Sequence, residues 1–233
     1  MNVIENNLIA IKQSINLFEE RYGRQSGSVQ LLAASKGQPA EKILTAINAG
    51  QRAFGENYLQ EALTKISAIN DPSVDWHFIG SIQSNKTKKI AEHFSWVQSV
   101  ADKNIAQRLN DQRPEHLPPL NICIEVNISA ERAKSGVMAD ELLWLLDFCN
   151  TLPRIKLRGL MAIPAIQSDF DAQRKIFHKL LSLLHSLREQ GYNLDTLSMG
   201  MSDDYEAAIA EGSTMVRIGT AIFGHRVKPN NCP

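Results

Sequence analysis

The sequence predicts an α/β chain folded as a closed (β/α)8 TIM barrel, with one extra helix at the amino terminus. Three observations predict it. Strand-like segments alternate with helical ones until there are eight strands. The 233 residues, 43% of them apolar, can build a barrel-sized core, and no Gly/Ser-rich or Pro-rich linker divides them, so one domain over 1–233 is expected. The first strand ends in Ser-Lys-Gly-Gln-Pro, not in the G-x-G-x-x-G loop that an open dinucleotide-binding sheet requires. Parallel strands joined by right-handed helical crossovers are what such a beat builds.

Residues 3–22 place Ile4, Leu8, Ile11, Ile15 and Leu17 on one helical stripe. A strand over 29–35 leads to a helix over 39–49, with Pro39 in its first turn and Gly50 as its stop. Residues 52–56 make a second strand before a helix at 58–69, and 74–79 a third before a helix at 85–93. The fourth strand, 96–100, is followed by Asp102 as the cap of a helix reaching about residue 111. Residues 120–128 are the clearest strand, and their helix runs over 139–152. A sixth strand at 155–163 precedes a helix at about 169–190, closed by Gly191. The last units are shorter: 196–199 with a helix at 203–210, then 215–218 and a helical turn at 221–224.

Lys+Arg and Asp+Glu stand at 25 each, so no global field draws the chain to nucleic acid or an anionic membrane. A solvated helix start accounts for the local run Lys86, Lys88 and Lys89. Cys123, Cys149 and Cys232 lack C-x-x-C spacing, which speaks against a disulfide framework and a zinc site. The six histidines (His77, His93, His116, His178, His185 and His225) form no H-x-x-x-H pair, and no metal is expected. There is no basic-then-apolar leader and no apolar run of roughly 18 residues, the length of a membrane span. The expected compartment is the cytoplasm.

In such a barrel the chemistry sits at the carboxyl ends of the strands. Lys36 ends the first. An amine beside Leu, Ala and Ser loses solvation of its charged form, which favours the neutral nucleophile that condenses with an aldehyde. A solvated strand terminus also accounts for a lone lysine; the other strand ends shift the balance. Alternation along the last strand turns Met215, Arg217 and Gly219 to the lumen, and Val216 and Ile218 to the helices. A buried Arg217 needs a partner, either a carboxylate such as Glu125 or a ligand. Ser198-Met199-Gly200-Met201-Ser202 and Arg217-Ile218-Gly219-Thr220 each bring glycine beside a hydroxyl residue to the ends of strands seven and eight, the recurrent phosphate position of this fold, although Asp203 and Asp204 stand alongside. The amide- and hydroxyl-rich turn over 80–86 admits a ligand contact, but helix capping accounts for Ser84 and Asn85 without one. His77, between Trp76 and Phe78, reads as a satisfied core histidine.

An amine on strand one, a phosphate cradle after strands seven and eight and an inward arginine on strand eight together describe a pyridoxal 5'-phosphate (PLP) site. The chain also carries AASKG at 33–37, FGENYLQE at 54–61, WHFIGSIQSNK at 76–86, RGLMAI at 158–163, LSMGMSDDYEAAI at 197–209 and VRIGTAIFG at 216–224. On these motifs it closely resembles, over nearly its whole length, the YggS/PROSC family of pyridoxal phosphate homeostasis proteins, whose barrel is similar to the alanine racemase N-terminal domain. The resemblance implies that Lys36 carries the internal aldimine, that Ser202, Gly219 and Thr220 are the phosphate ligands and that Arg217 partners the pyridine nitrogen. It implies Asn57 as a rim contact, and His77 and Met161 as lesser candidates lining the pocket. A monomer, a role in vitamin B6 and amino-acid balance, and PLP-dependent apo-enzymes as acceptors are implied as well.

Arginine only donates, so it makes the pyridine nitrogen an acceptor and the ring a weaker electron sink. That disfavours aminotransferase chemistry and leaves racemisation or cofactor holding. Alanine racemase resembles this barrel plus a second, β-rich domain that supplies an opposing tyrosine base, whereas only nine residues follow Gly224 here. The expected function is therefore PLP holding without robust catalysis. A weak amino-acid racemase is the alternative, with Tyr58 and Tyr205 near the proposed mouth. Lys134 is the next amine should Lys36 not be the one.

Overall fold

A computed structural model describes residues 2–129, 131 and 135–224. Its eight described strands, β1 (Gln30–Ala34), β2 (Ala53–Glu56), β3 (Asp75–Phe78), β4 (Trp96–Val100), β5 (Leu120–Glu125), β6 (Ile155–Met161), β7 (Thr196–Ser198) and β8 (Met215–Ile218), form a closed parallel barrel in sequence order. Closure comes from β1, which pairs with β2 on one side and β8 on the other, with Leu32 opposite Arg217. The helices are α1 (Val3–Arg21), α2 (Ala40–Asn48), α3 (Leu59–Ile69), α4 (Thr87–His93), α5 (Lys103–Gln112), α6 (Ala139–Asn150), α7 (Phe170–Glu189), α8 (Tyr205–Ala210) and the single turn α9 (Thr220–Phe223). No helix among the described residues is long and apolar enough to cross a membrane.

Helix α1 starts where the Asn2 side chain accepts from the Ile4 N–H, and it buries Ile4, Leu8, Ile11 and Ile15. Leu17 leaves the predicted stripe, at 51% exposed, because two residues past Ile15 is off the face. Buried Glu19 takes the inward position and accepts from the Gly27 and Val29 N–H groups at 2.9 and 2.7 Å, steering the chain into β1. Pro39 is the cap of α2, not part of its first turn. Asp102 caps α5 by accepting from the Ile105 N–H at 3.0 Å.

Strand β5 ends at Glu125, short of the predicted 128. Val126 still donates to Met161 O, but the Asn127 N–H turns to Val137 O, so the ladder changes partner. The predicted helix at 85–93 begins as a 3-10 turn over Ser84–Lys86. Helix α8 begins at Tyr205, after Asp204 has accepted from the Met201 N–H.

The main core lies between the sheet and its helices. Within the lumen, Leu32, Ala53, Ile79 and Met215 form one apolar plug, and Trp96, Cys123 and Met161 another. Met215 thus faces inward while Val216 and Ile218 join the outer core, as alternation along β8 requires.

Candidate functional site

At the carboxyl ends of the strands lies a cavity of about 220 Å³, and Lys36, Asn57, Ser202, Arg217, Gly219 and Thr220 all line it. The structure thus gathers six of the eight predicted residues around one space. His77 and Met161 are both completely buried, and neither is among the residues that line this cavity. Met161 packs with Trp96 and Cys123. His77 stacks on Trp96, centroids 5.2 Å apart, in a polar chain beneath the rim. Lys134 and His225 lie outside the described residues. Roomier hollows exist between the starts of α5 and α6, past the end of β4, and at the amino end of β1, but neither is lined by any of the predicted site residues.

The polar chain explains how a guanidinium is tolerated inside a barrel. Arg217 Nη1 donates to Ser198 Oγ at 2.7 Å and Nη2 to Ala162 O at 2.9 Å. Ser198 Oγ donates to Gln98 Oε1 at 2.7 Å, and Gln98 Nε2 donates to His77 Nδ1 at 2.9 Å. His77 Nε2 is then the protonated nitrogen of a neutral ring, donating to Asp75 Oδ2 at 3.2 Å. Burial pushes the His77 proton affinity down, which fits this tautomer, although Asp75 pulls the other way. Glu125, the carboxylate weighed as the partner of Arg217, forms no ion pair with it among the described residues; it acts through its charge alone. Burial lowers the Arg217 pKa to about 10, against the pull of Asp204 and Glu125, so the group stays charged at neutral pH.

Two loops complete the opposite wall. Gly200, at φ +96, turns the chain after β7, and a Cβ there would come within 2.6 Å of Ala208 Cβ. Asp204 is committed to the Met201 N–H, and burial raises its pKa; Asp203 is exposed at the rim. Gly219 permits a different close approach, since a Cβ would lie 2.8 Å from Ala34 O. Thr220 opens α9, which is tied to α1 by Asn7 Nδ2 donating to Ile222 O at 2.9 Å and to α2 by Lys42 Nζ donating to Phe223 O at 3.0 Å. The amino-terminal helix thereby braces the cavity. Among the described residues the Ser202 and Thr220 hydroxyls have no hydrogen-bonding partner, and the Asn57 Oδ1 atom is buried without one.

Sequence reasoning missed Gln38, Ile79 and Ile163 in the wall. Gln38, two residues past Lys36, had a positional signal; Ile79 and Ile163 follow strand ends but carry no distinctive chemistry. Tyr58 is 60% exposed and Tyr205 packs against Phe18, and neither lines the cavity.

The family model for the alanine racemase N-terminal domain matches residues 7–227. A pyridoxal phosphate homeostasis protein of Vibrio alginolyticus is 52% identical over 230 residues, covering 97% of this chain and 99% of that one. The protein of the same name in Escherichia coli K12 is 50% identical over 229 residues, covering 97% and 98%. The structure of PipY of Synechococcus elongatus PCC7942 with PLP bound is similar at a TM-score of 0.83 and 34% identity, covering 95% of this chain and all of that one. Alanine racemase of Corynebacterium glutamicum shares the fold, with a TM-score of 0.68 at 19% identity; the match covers 98% of this chain and 62% of the racemase.

Proposed function

The chain belongs to the pyridoxal phosphate homeostasis proteins of the alanine racemase N-terminal-domain family, and from that premise we propose that it binds PLP at the barrel mouth, holds it covalently through Lys36 and serves intracellular vitamin B6 and amino-acid balance without robust catalysis. The observation that carries this reading is the convergence in one cavity of an amine, a buried charged guanidinium, two unpartnered hydroxyls and an orphaned amide oxygen. This donor set fits the cofactor. When bound, PLP supplies an aldehyde and an electron-poor ring.

Each residue then has a task. Lys36 would hold the cofactor by its aldehyde, through its side-chain amine. Arg217 donates to the ring nitrogen and, being charged, keeps that nitrogen an acceptor. Ser202 and Thr220 donate to the phosphate, Gly219 lets the backbone come close, and Asn57 Oδ1 accepts from the ligand at the rim. No tyrosine hydroxyl among the described residues lines the cavity, which supports holding over two-base racemisation. Every group named comes from one chain, so a monomer suffices, and PLP-dependent apo-enzymes are the proposed acceptors. The buried thiols Cys123 and Cys149, unpaired with each other, suit a reducing cytoplasm.

Absorption spectroscopy tests the assignment. Protein incubated with PLP and desalted should be yellow, and Lys36→Ala should lose that band. A Lys36→Ala protein as yellow as the wild type would refute the role given to this amine.

A further inference from the structure

We propose that the ionic cluster of buried Glu56 and Lys65 with half-buried Glu61 positions Lys36, holding the residue on each side of it so that its amine meets an aldehyde in the cavity. The inference rests on the assignment of Lys36 to PLP. Lys65 Nζ donates to Ser35 O at 2.8 Å, to Glu56 Oε1 at 2.7 Å and to Glu61 Oε1, which uses all three ammonium hydrogens. Ser35 Oγ donates to Glu56 Oε1 at 2.5 Å. Beyond Lys36, the Gly37 N–H donates to Glu61 Oε1 at 2.6 Å, and Gly37 takes φ +72. Three side chains from β2 and α3 thus grip the chain immediately before and immediately after residue 36.

Stability alone does not account for the cluster. Lys65 and Glu56 are almost wholly buried, and apolar side chains of similar volume commonly match or exceed a buried ion pair in stability. Glu56 even leaves Oε2 without a partner, and burial raises its pKa despite the Lys65 charge. Apolar replacements cannot accept from the Gly37 N–H or donate to Ser35 O. What these hydrogen-bonding side chains supply, and apolar ones cannot, is a fixed path for the backbone on both sides of Lys36.

The test uses the full chain and four proteins: wild type, Lys65→Met, Glu61→Ala and Glu61→Gln. Each is mixed with PLP, quenched with borohydride at intervals and digested, and the pyridoxyl mass at Lys36 is quantified; ligand-free melting temperatures are recorded in parallel. A displaced reacting group costs up to about 100-fold, so Lys65→Met and Glu61→Ala should slow modification of Lys36 by about tenfold or more. Glu61→Gln, whose amide oxygen still accepts from Gly37, should stay within about threefold of wild type, a rescue that a merely structural role does not predict. The inference is overturned if the Glu61→Ala protein modifies at the wild-type rate, or if Glu61→Gln is as slow as Glu61→Ala. Glu61 is 31% exposed, so its two variants decide the matter even if Lys65→Met does not fold. A wild type modified elsewhere than Lys36 would remove the premise, whereas wild-type modification at Lys36 with unchanged variants removes only the positioning role.

Discussion

Arg217 keeps its charge inside the barrel because its bonds go to oxygens that the fold holds in place, one on Ser198 and one on the backbone of Ala162. Arg217→Met strands both acceptors, and a buried unsatisfied group costs about 1–3 kcal/mol, which urea unfolding should register along with weaker PLP retention. His77 gives a pH signature. Its folded proton affinity is pushed below the ordinary 6.5, so between that lowered value and 6.5 the unfolded chain binds a proton that the folded one refuses. Its contribution to stability therefore rises with pH across this window and is complete above it. His77→Gln should flatten that slope relative to wild type in unfolding measured from pH 5 to 8. Lys36 and Arg217 were legible because a strand end and an alternation pattern are local signals. The polar chain from His77 was not, since Gln98 stands 21 residues from His77 and Ser198 a further 100 from Gln98.

Helix and strand identities were legible wherever apolar spacing persists, as in α1, β4 and β8; their ends depended on contacts that spacing does not encode. The apolar run after Glu125 reads on as strand, yet the chain swaps β6 for Val137. The helix expected from residue 203 waits until 205 because Asp204 first spends its side chain on the Met201 amide. That same loop offers a sharp test: Gly200→Ala meets both a positive φ and Ala208, and strained backbone costs of order 1–3 kcal/mol, visible as a lower melting temperature. At α1, Leu8→Ala empties a fully packed position and should cost about 2–5 kcal/mol in denaturant unfolding. Because α1 braces α9 through Asn7, Asn7→Ala should quicken PLP loss with little change in stability.

Barrel closure is what makes the site. Lys36 follows β1, Asn57 follows β2, Ser202 follows β7, and Arg217 to Thr220 belong to β8 and its extension, so four neighbouring strands across the seam supply every predicted residue of the cavity. An open sheet in the same strand order would part residue 36 from residues 217–220 by its full width. The eightfold alternation announced the barrel, and the family motifs announced the cavity, but the ionic grip on both sides of Lys36 emerged only with β2 and α3 in place. Binding to the folded state alone also predicts linkage: PLP at about 100 times its dissociation constant should add about 2.7 kcal/mol of stability, and Lys36→Ala should shrink the rise in melting temperature. The most direct measurement is peptide mass spectrometry of wild-type protein loaded with PLP and reduced with borohydride. The pyridoxyl mass is predicted on the peptide containing Lys36; its absence there, with the mass on another lysine, would contradict the account.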